Sequence, residues 1–291
     1  MHRATATLKL FAAIVVLAIT AASAPSAQDY PSRPITLIVP YTAGGGNDLL
    51  ARAAADKMSK TLGQQIVIEN RGGAGGSIAT RAIAKAEPDG YTLGLGGTGT
   101  LAINPTLYPN VGYDPRKDFA PVGLIAASAL VICLNTSLPV RSVGDLITLA
   151  KKEPGKINYA SAGTGSGIHL ATEYFAAMAG IKLTHIPYKG AAPALTDVIG
   201  GHVAFYFSSL PAAVGLVKDG KVRALAVTGS KRSPIFPDRA HGRGGRAGGL
   251  RGCFALWNRR AGWHPAAHHR KTFRDAADGR GIGRGEIANR R

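Results

Sequence analysis

The 291-residue sequence predicts an α/β fold assembled from βαβ units with parallel sheet. Two observations carry this. From residue 30 to residue 228, short apolar strand-like runs alternate with segments of helical spacing, and the joints between them are rich in glycine, of which the chain holds 38. A hydrophobic fraction of 45% supplies a sizeable core, in one large domain or two ordinary ones.

The elements follow in order. ITLIVP (35–40) is a short, wholly apolar strand. NDLLARAAADKMSKTLG (47–63) has helical spacing, with Leu49, Ala53 and Met58 toward one face and Gly63 as its stop. QIVIEN (65–70) is a second strand, a helix follows near 77–85, and YTLGLG (91–96) is a third strand. LIAASALVICLN (124–135) is apolar enough for burial on both faces. Ser142 is placed to cap the helix VGDLITLAKK. After it come strand INYASAG, helix SGIHLATEYFAAMAG, strand LTHIPY, helix APALTDVIGG, strand HVAFYF, helix LPAAVGLVKDG and strand KVRALAVTG.

The N-terminus reads as a signal peptide over 1–27. Arg3 and Lys9 precede the apolar run LFAAIVVLAITAA, too short to span a bilayer comfortably, and SAPSAQ supplies small residues for cleavage. The expected location is therefore periplasmic. The two cysteines, Cys133 and Cys253, predict no disulfide; Cys133 lies in an apolar run as a small hydrophobe.

In parallel sheets ligands bind at the carboxyl ends of strands. Two glycine loops fit that location. PYTAGGGND (40–48) joins a strand to a helix; its glycines permit close backbone approach, and the helix start presents free N–H groups and a positive dipole end. Tyr41, Gly44, Gly45 and Asn47 are candidate ligand contacts, with Asp48 capping the helix or orienting the loop. SAGTGSGIHL (161–170) repeats the arrangement, with Gly163 and the hydroxyls of Thr164 and Ser166; His169, one turn into the helix, faces either the cleft or the core. GGTGT (96–100) is a third such loop, with Thr98 and Thr100 as donors. Together the loops suggest a small acid gripped between two lobes. ENRGGAGGS (69–77) reads as a rigid surface crossover.

Catalytic readings fail. GLGGTG (94–99) matches G-x-G-x-x-G, but Pro105 would break the helix a dinucleotide site requires. GTGSG is not a nucleophile elbow, because Thr164 stands two before Ser166. There is no phosphate loop, no H-E-x-x-H and no paired cysteine, and HPAAHH (264–269) sits in an anomalous tail. No catalytic residue, cofactor or metal is expected.

The ordered set YPSRPITLIVPYTAGGGNDLLAR, VIENRGGAGGSIA, PDGYTLGLG, INPTLYPNVGYDPRKDFAPVGLIA, KINYASAGTGSGIHLATEYF, THIPYKGAAPALTDVIGGHV and KVRALAVTGSKRSPIFPD resembles the periplasmic solute-binding proteins of tripartite tricarboxylate transporters, over about 30–238. The resemblance implies a two-lobe, type II periplasmic-binding-protein-like fold: lobe 1 over 28–130, lobe 2 over 131–228 and a return crossover over 229–238. It implies a carboxylic acid as ligand, held by the loops at 41–48 and 163–166, membrane permease subunits as partners, and a monomer. Ala43 departs from a common proline. Ser208 and Ser209 replace residues that are often acidic or asparagine, which marks both as ligand-facing candidates.

Residues 239–291 leave the pattern. Residues 238–291 hold 13 Lys and Arg against 4 Asp and Glu, half of the net charge of +18. Such an Arg/Gly-rich stretch raises an alternative, nucleic-acid binding through the tail, which suits an exported protein poorly. A secreted hydrolase using Ser166 or His169 is a further alternative. Codon degeneracy offers a different account of the tail. Shifted by one base, 239–242 permits V-P-T-V, 260–265 permits A-P-A-G-T and 268–272 permits I-I-A-K-L, the family's own continuation in the right order. The tail therefore reads as out of frame. With no valine and six Leu, Ile or Phe residues it is expected to be disordered, leaving lobe 1 incomplete with an open sheet edge.

Overall fold

A computed structural model describes residues 30–229, 233–238, 240–241 and 251–259. The chain divides into two units, Met1–Ser32 and Arg33–Arg291, and only residues 30–32 of the first are described. The expected signal peptide and HPAAHH lie outside the described residues. Every described strand and helix belongs to the second unit.

Lobe 1 is built on β1 (Ile35–Val39), which pairs in parallel with β2 (Ile66–Asn70) and β3 (Thr92–Gly97). Helix α1 (Gly46–Leu62) follows β1 and buries Ala51, Ala54, Ala55 and Met58. The buried face differs from the expected one: Leu49 is 41% exposed and Ala53 is exposed. The small alanines at helical spacing let the helix approach the sheet, which a leucine-centred face would not. A 3-10 turn (Ala74–Gly76) leads into α2 (Ser77–Ala84). A π turn (Gly99–Ile103) runs into α3 (Asn104–Leu107). Pro105 therefore does not prevent a helix. It sits in the first turn of α3, where no donor is missed. The dinucleotide reading fails for another reason: Gly94 and Gly96 are paired inside the sheet and form no phosphate loop.

The 16-residue strand β4 (Phe119–Leu134) crosses between lobes. Burial on both faces holds only for its second half. Residues 130–134 are buried throughout, whereas the first half is mixed and Leu124 is 59% exposed. Lobe 2 contains α4 (Val143–Lys152), β5 (Asn158–Ser161), α5 (Gly167–Ala179), β6 (Thr184–Pro187), α6 (Ala191–Ile199), β7 (Phe205–Ser209), α7 (Leu210–Lys218) and β8 (Arg223–Val227). Ser142 caps α4 in a reciprocal box with Asp145. Strand β5 is parallel to β6 and β7, while β4 is antiparallel to β7 and β8, so the sheet is mixed rather than parallel. Two-residue alternation splits the core between its faces. Tyr159, Phe205 and Phe207 pack on one side; Val131, Cys133 and Tyr206 pack on the other. Burial pushes the Cys133 thiol up to about 12.

Within residues 239–291 two segments are described, and both are paired strands. A short strand, β9 (Ala240–His241), pairs in parallel with β8. Strand β10 (Arg251–Arg259) lies between β3 and β4, antiparallel to both, in the order β2-β1-β3-β10-β4-β7-β5-β6. Strand pairing uses backbone groups, so residues outside the family pattern can still close a ladder. The register slips between Phe254 and Ala255 and again between Leu256 and Trp257. Residues 242–250 and 260–291, with most of the basic tail, lie outside the described residues.

Candidate functional site

The site forms where strand ends and helix starts of both lobes meet. Gly46, at the start of α1, abuts the α7 cap: a Cβ placed on it would lie 1.9 Å from Ser209 Oγ. One on Gly45 would lie 3.1 Å from Ala191 Cβ, at the start of α6. One on Gly75 would lie 2.2 Å from the Thr164 carbonyl oxygen and 3.2 Å from Ser166 N, where α5 begins. One on Gly99 would lie 2.9 Å from the Gly165 carbonyl oxygen. The glycines thus let the lobes meet backbone to backbone. Helices α1, α5, α6 and α7 all bring their starts to this seam, and each start carries free N–H groups and a partial positive charge.

Hydrogen bonds lock the closed arrangement. The Thr42 N–H of lobe 1 donates to the Lys189 carbonyl of lobe 2 at 3.3 Å. The Tyr108 hydroxyl donates to the Thr164 carbonyl at 2.9 Å. Between these contacts lies a cleft of about 620 Å³, lined from lobe 1 by Thr42, Gly73–Gly75, Ile78 and Tyr108, and from lobe 2 by residues of the 163–164 and 187–193 segments. The Thr42 Oγ1 hydroxyl is buried there and has no hydrogen-bond partner among the described residues.

Of the residues expected from the sequence, Gly163 and Thr164 line this cleft. The others do not line it. Tyr41 is buried and donates to the Gly75 carbonyl, steadying the 73–75 turn; burial raises its phenol above the ordinary range. Gly44, at φ +79°, donates its N–H to Asp48 Oδ2 at 2.9 Å, and Arg52 Nε donates to the same oxygen at 3.0 Å. Burial pushes the Asp48 carboxyl up, but hydrogen bonds from Arg52, Gly44 and Asn70 outweigh it and hold it below the usual carboxylate range. Asp48 is thus the loop's internal strut. Gly45 is buried at the seam, and Asn47 is half-buried in the first turn of α1. Thr98 is exposed beside Gly167, and Thr100 Oγ1 is used within its own turn by Gly97. Ser208 is buried and donates to the Ser209 carbonyl; Ser209 stands at the N-cap position of α7, against Gly46, without a side-chain capping bond.

Ser166 and His169 do not form a nucleophile–base pair. Ser166 Oγ accepts the His169 backbone N–H as the α5 cap, and His169 Nδ1 accepts the Gly165 N–H at 3.4 Å. The His169 ring stacks on His185 at 4.2 Å, behind the 163–166 loop rather than in the cleft. His185 Nε2 lies 2.6 Å from Ser161 Oγ, which accepts the Gly163 N–H. Burial holds both imidazoles below their ordinary value, His185 down to about 4 with His169 beside it adding to the effect; Glu173 opposes in both cases. The pair is a neutral prop for the loop. No group of three or more potential metal ligands occurs among the described residues.

The sequence reading missed Thr42, the 73–75 turn, Tyr108, Tyr188 and Lys189. The segment ENRGGAGGS is not a plain surface crossover, since Gly75 and Gly76 are buried and the turn faces lobe 2. Its four glycines within five residues were the available signal.

Comparison with known proteins gives consistent relatives. A family model described as "Tripartite tricarboxylate transporter family receptor" matches residues 50–242. Protein BugT of Bordetella pertussis is 40% identical over 232 residues, covering 79% of this chain and 71% of that one. Among solved structures, Rpa4515 of Rhodopseudomonas palustris with adipate is 39% identical at a TM-score of 0.81, covering 86% of this chain and 83% of that one. MatC (Rpa3494) from the same species, with bound malate, is 30% identical at a TM-score of 0.81, covering 86% and 85%.

Proposed function

The chain belongs to the tripartite tricarboxylate transporter receptor family, whose members are solute-binding proteins and not enzymes, and from that premise we propose that its cleft captures a small carboxylic acid for delivery to membrane permease subunits. The observation that carries this is the buried Thr42 hydroxyl, without a hydrogen-bond partner among the described residues, in a cleft where helix starts from both lobes converge. A carboxylate supplies what is missing: an acceptor for orphan donors and a negative charge at positive dipole ends. The adipate- and malate-bound relatives support the ligand class. Periplasmic proteins among the relatives support an exported, periplasmic protein. Closure around the ligand gives the permease a distinct surface to recognise.

The out-of-frame origin of residues 239–291 belongs to the same reading. It is supported by the family match ending at residue 242, and resequencing the gene around codons 230–245 tests it. The function is tested by titrating the full chain with adipate, malate and citrate and following heat. Saturable one-to-one binding of at least one acid is expected; no saturation by any of them sinks the proposal.

A further inference from the structure

We propose that the pole of lobe 2 opposite the cleft rests on an anionic phospholipid surface, through lysines at the amino ends of its strands. This goes beyond the carboxylate reading and does not depend on it. Strands β5, β6, β7 and β8 run in one direction, with β4 antiparallel to β7 and β8. The carboxyl ends of β5 and β6 lead into the 163–164 and 187–193 segments that line the cleft. The amino ends therefore lie at the opposite pole, and lysines gather there. Lys151, Lys152 and Lys156 precede β5, Lys182 precedes β6, and Lys218 and Lys221 precede β8. The Gly155 N–H donates to the Lys182 carbonyl at 3.0 Å, and the Thr184 N–H to the Ile157 carbonyl at 2.9 Å, so the first two groups share one surface.

All six lysines are exposed, and the carboxylates in the same segments are Glu153 and Asp219. Asp219 takes Lys221 at 3.6 Å; the other five lysines make no salt bridge among the described residues. Lobe 1 differs, since Arg33, Arg52, Lys60, Arg71 and Lys117 are each paired with a carboxylate. Helix ends account for part of the pole. Lys151 and Lys152 in the last turn of α4, and Lys218 in that of α7, complement the negative end of a helix dipole. Lys156 and Lys182 lie outside any helix, which leaves a one-sided field. Its chemistry favours lipid over protein. Specific protein interfaces are depleted in lysine and centre on aromatic, Met or Arg anchors. Here Ile157, Ile181 and Val222 are buried, Leu183 packs on the core, and Arg223 is spent on the Thr136, Leu138 and Val140 carbonyls. Ammonium groups on flexible stems gain from a plane of phosphodiesters without any fixed geometry. Such docking leaves the cleft, at the other ends of the same strands, free to load.

The test is co-sedimentation of the full chain with vesicles of phosphatidylcholine alone and of phosphatidylcholine with about 30% phosphatidylglycerol, at about 0.05 M and about 0.5 M salt. Two variants of equal net charge stand beside the parent: K151Q/K152Q/K156Q/K182Q at the pole and K57Q/K60Q/K85Q/K117Q on lobe 1, all at exposed positions. The Arg/Gly-rich tail is common to all three proteins, so the difference between the variants reports the pole alone. The parent is expected to bind anionic vesicles about tenfold or more tightly than neutral ones at low salt and to lose that preference at high salt. The pole variant should bind the anionic vesicles about tenfold more weakly than the parent, and the lobe 1 variant about twofold or less. Equal losses in the two variants, or a preference that survives high salt, overturns the inference. Equal binding of the parent to anionic and neutral vesicles also overturns it, and leaves the pole to an acidic protein face. The carboxylate reading stands or falls separately, on the acid titration.

Discussion

The Tyr108 hydroxyl and the Thr164 carbonyl oxygen are 2.9 Å apart, and the bond between them joins lobe 1 to lobe 2 at the edge of the cleft between them. A bond of this kind exists only when the lobes are closed, so it should act on release more than on capture. Tyr108→Phe keeps the ring and removes the donor. The loss should be about 0.5–1.5 kcal/mol, which is roughly a two- to tenfold faster ligand off-rate. Stopped-flow displacement reads it directly; an off-rate equal to that of the parent chain would remove Tyr108 from the closure mechanism.

Gly75 and Gly180 separate closure from local backbone strain. Both are left-handed, at φ +60° and +61°. A Cβ on Gly75 would sit 2.2 Å from the Thr164 carbonyl oxygen, whereas one on Gly180 meets nothing within 4 Å. Each alanine substitution costs about 1 kcal/mol of conformational strain. Only Gly75→Ala should also hold the lobes apart, weakening ligand binding by about tenfold or more with melting of the ligand-free protein no worse than in Gly180→Ala. Parallel calorimetry and melting of the two variants decide it. Equal affinities would mean that the seam tolerates a methyl group.

The fold was far more legible than the site. Strands β7 and β8 of lobe 2 show in their apolar runs, because buried strands need continuous hydrocarbon. The glycine loops at 40–48 and 161–170 gave the location of the cleft. The cleft's own surface did not show, because Thr42, Tyr108 and Lys189 come from three loops far apart in sequence and carry no shared motif. His169 and Asp48 drew notice as reactive side chains, yet both are spent on backbone N–H groups of their own loops. Spacing alone cannot tell an internal strut from a ligand contact. Strand β10 was hidden for a different reason: the tail's composition masked the apolar run CFALW (253–257).

The stacked histidines make the protein acid-sensitive. In the folded chain burial and the neighbouring His169 hold His185 down to about 4, and burial lowers His169 as well, with Glu173 opposing. Unfolded imidazoles titrate near about 6.5, so between the two values the unfolded chain binds more protons. The stability this pair contributes is full above about pH 6.5 and is lost as pH falls through about 4. Urea midpoints measured from pH 7.5 to 4 should decline over that window, and His185→Gln should flatten the decline. A variant with the parent's slope would place the acid sensitivity elsewhere.

Strand β10 carries the integrity of lobe 1. It is the only link between β3 and β4 in the described sheet order, and Leu256 sits across from Leu95 on one side and Gly123 on the other. Proline at 256 removes one ladder donor whichever neighbour takes it and forces the ring into a central strand, where proline is not tolerated. Leu256→Pro in the full chain should therefore destabilise by about 3 kcal/mol or more and open amide exchange at residues 93–97 and 119–124, while the lobe 2 core around Tyr159 and Phe207 keeps its protection. Hydrogen exchange followed by mass spectrometry resolves the two lobes separately. Unchanged protection in both would show that the sheet of lobe 1 holds without this strand.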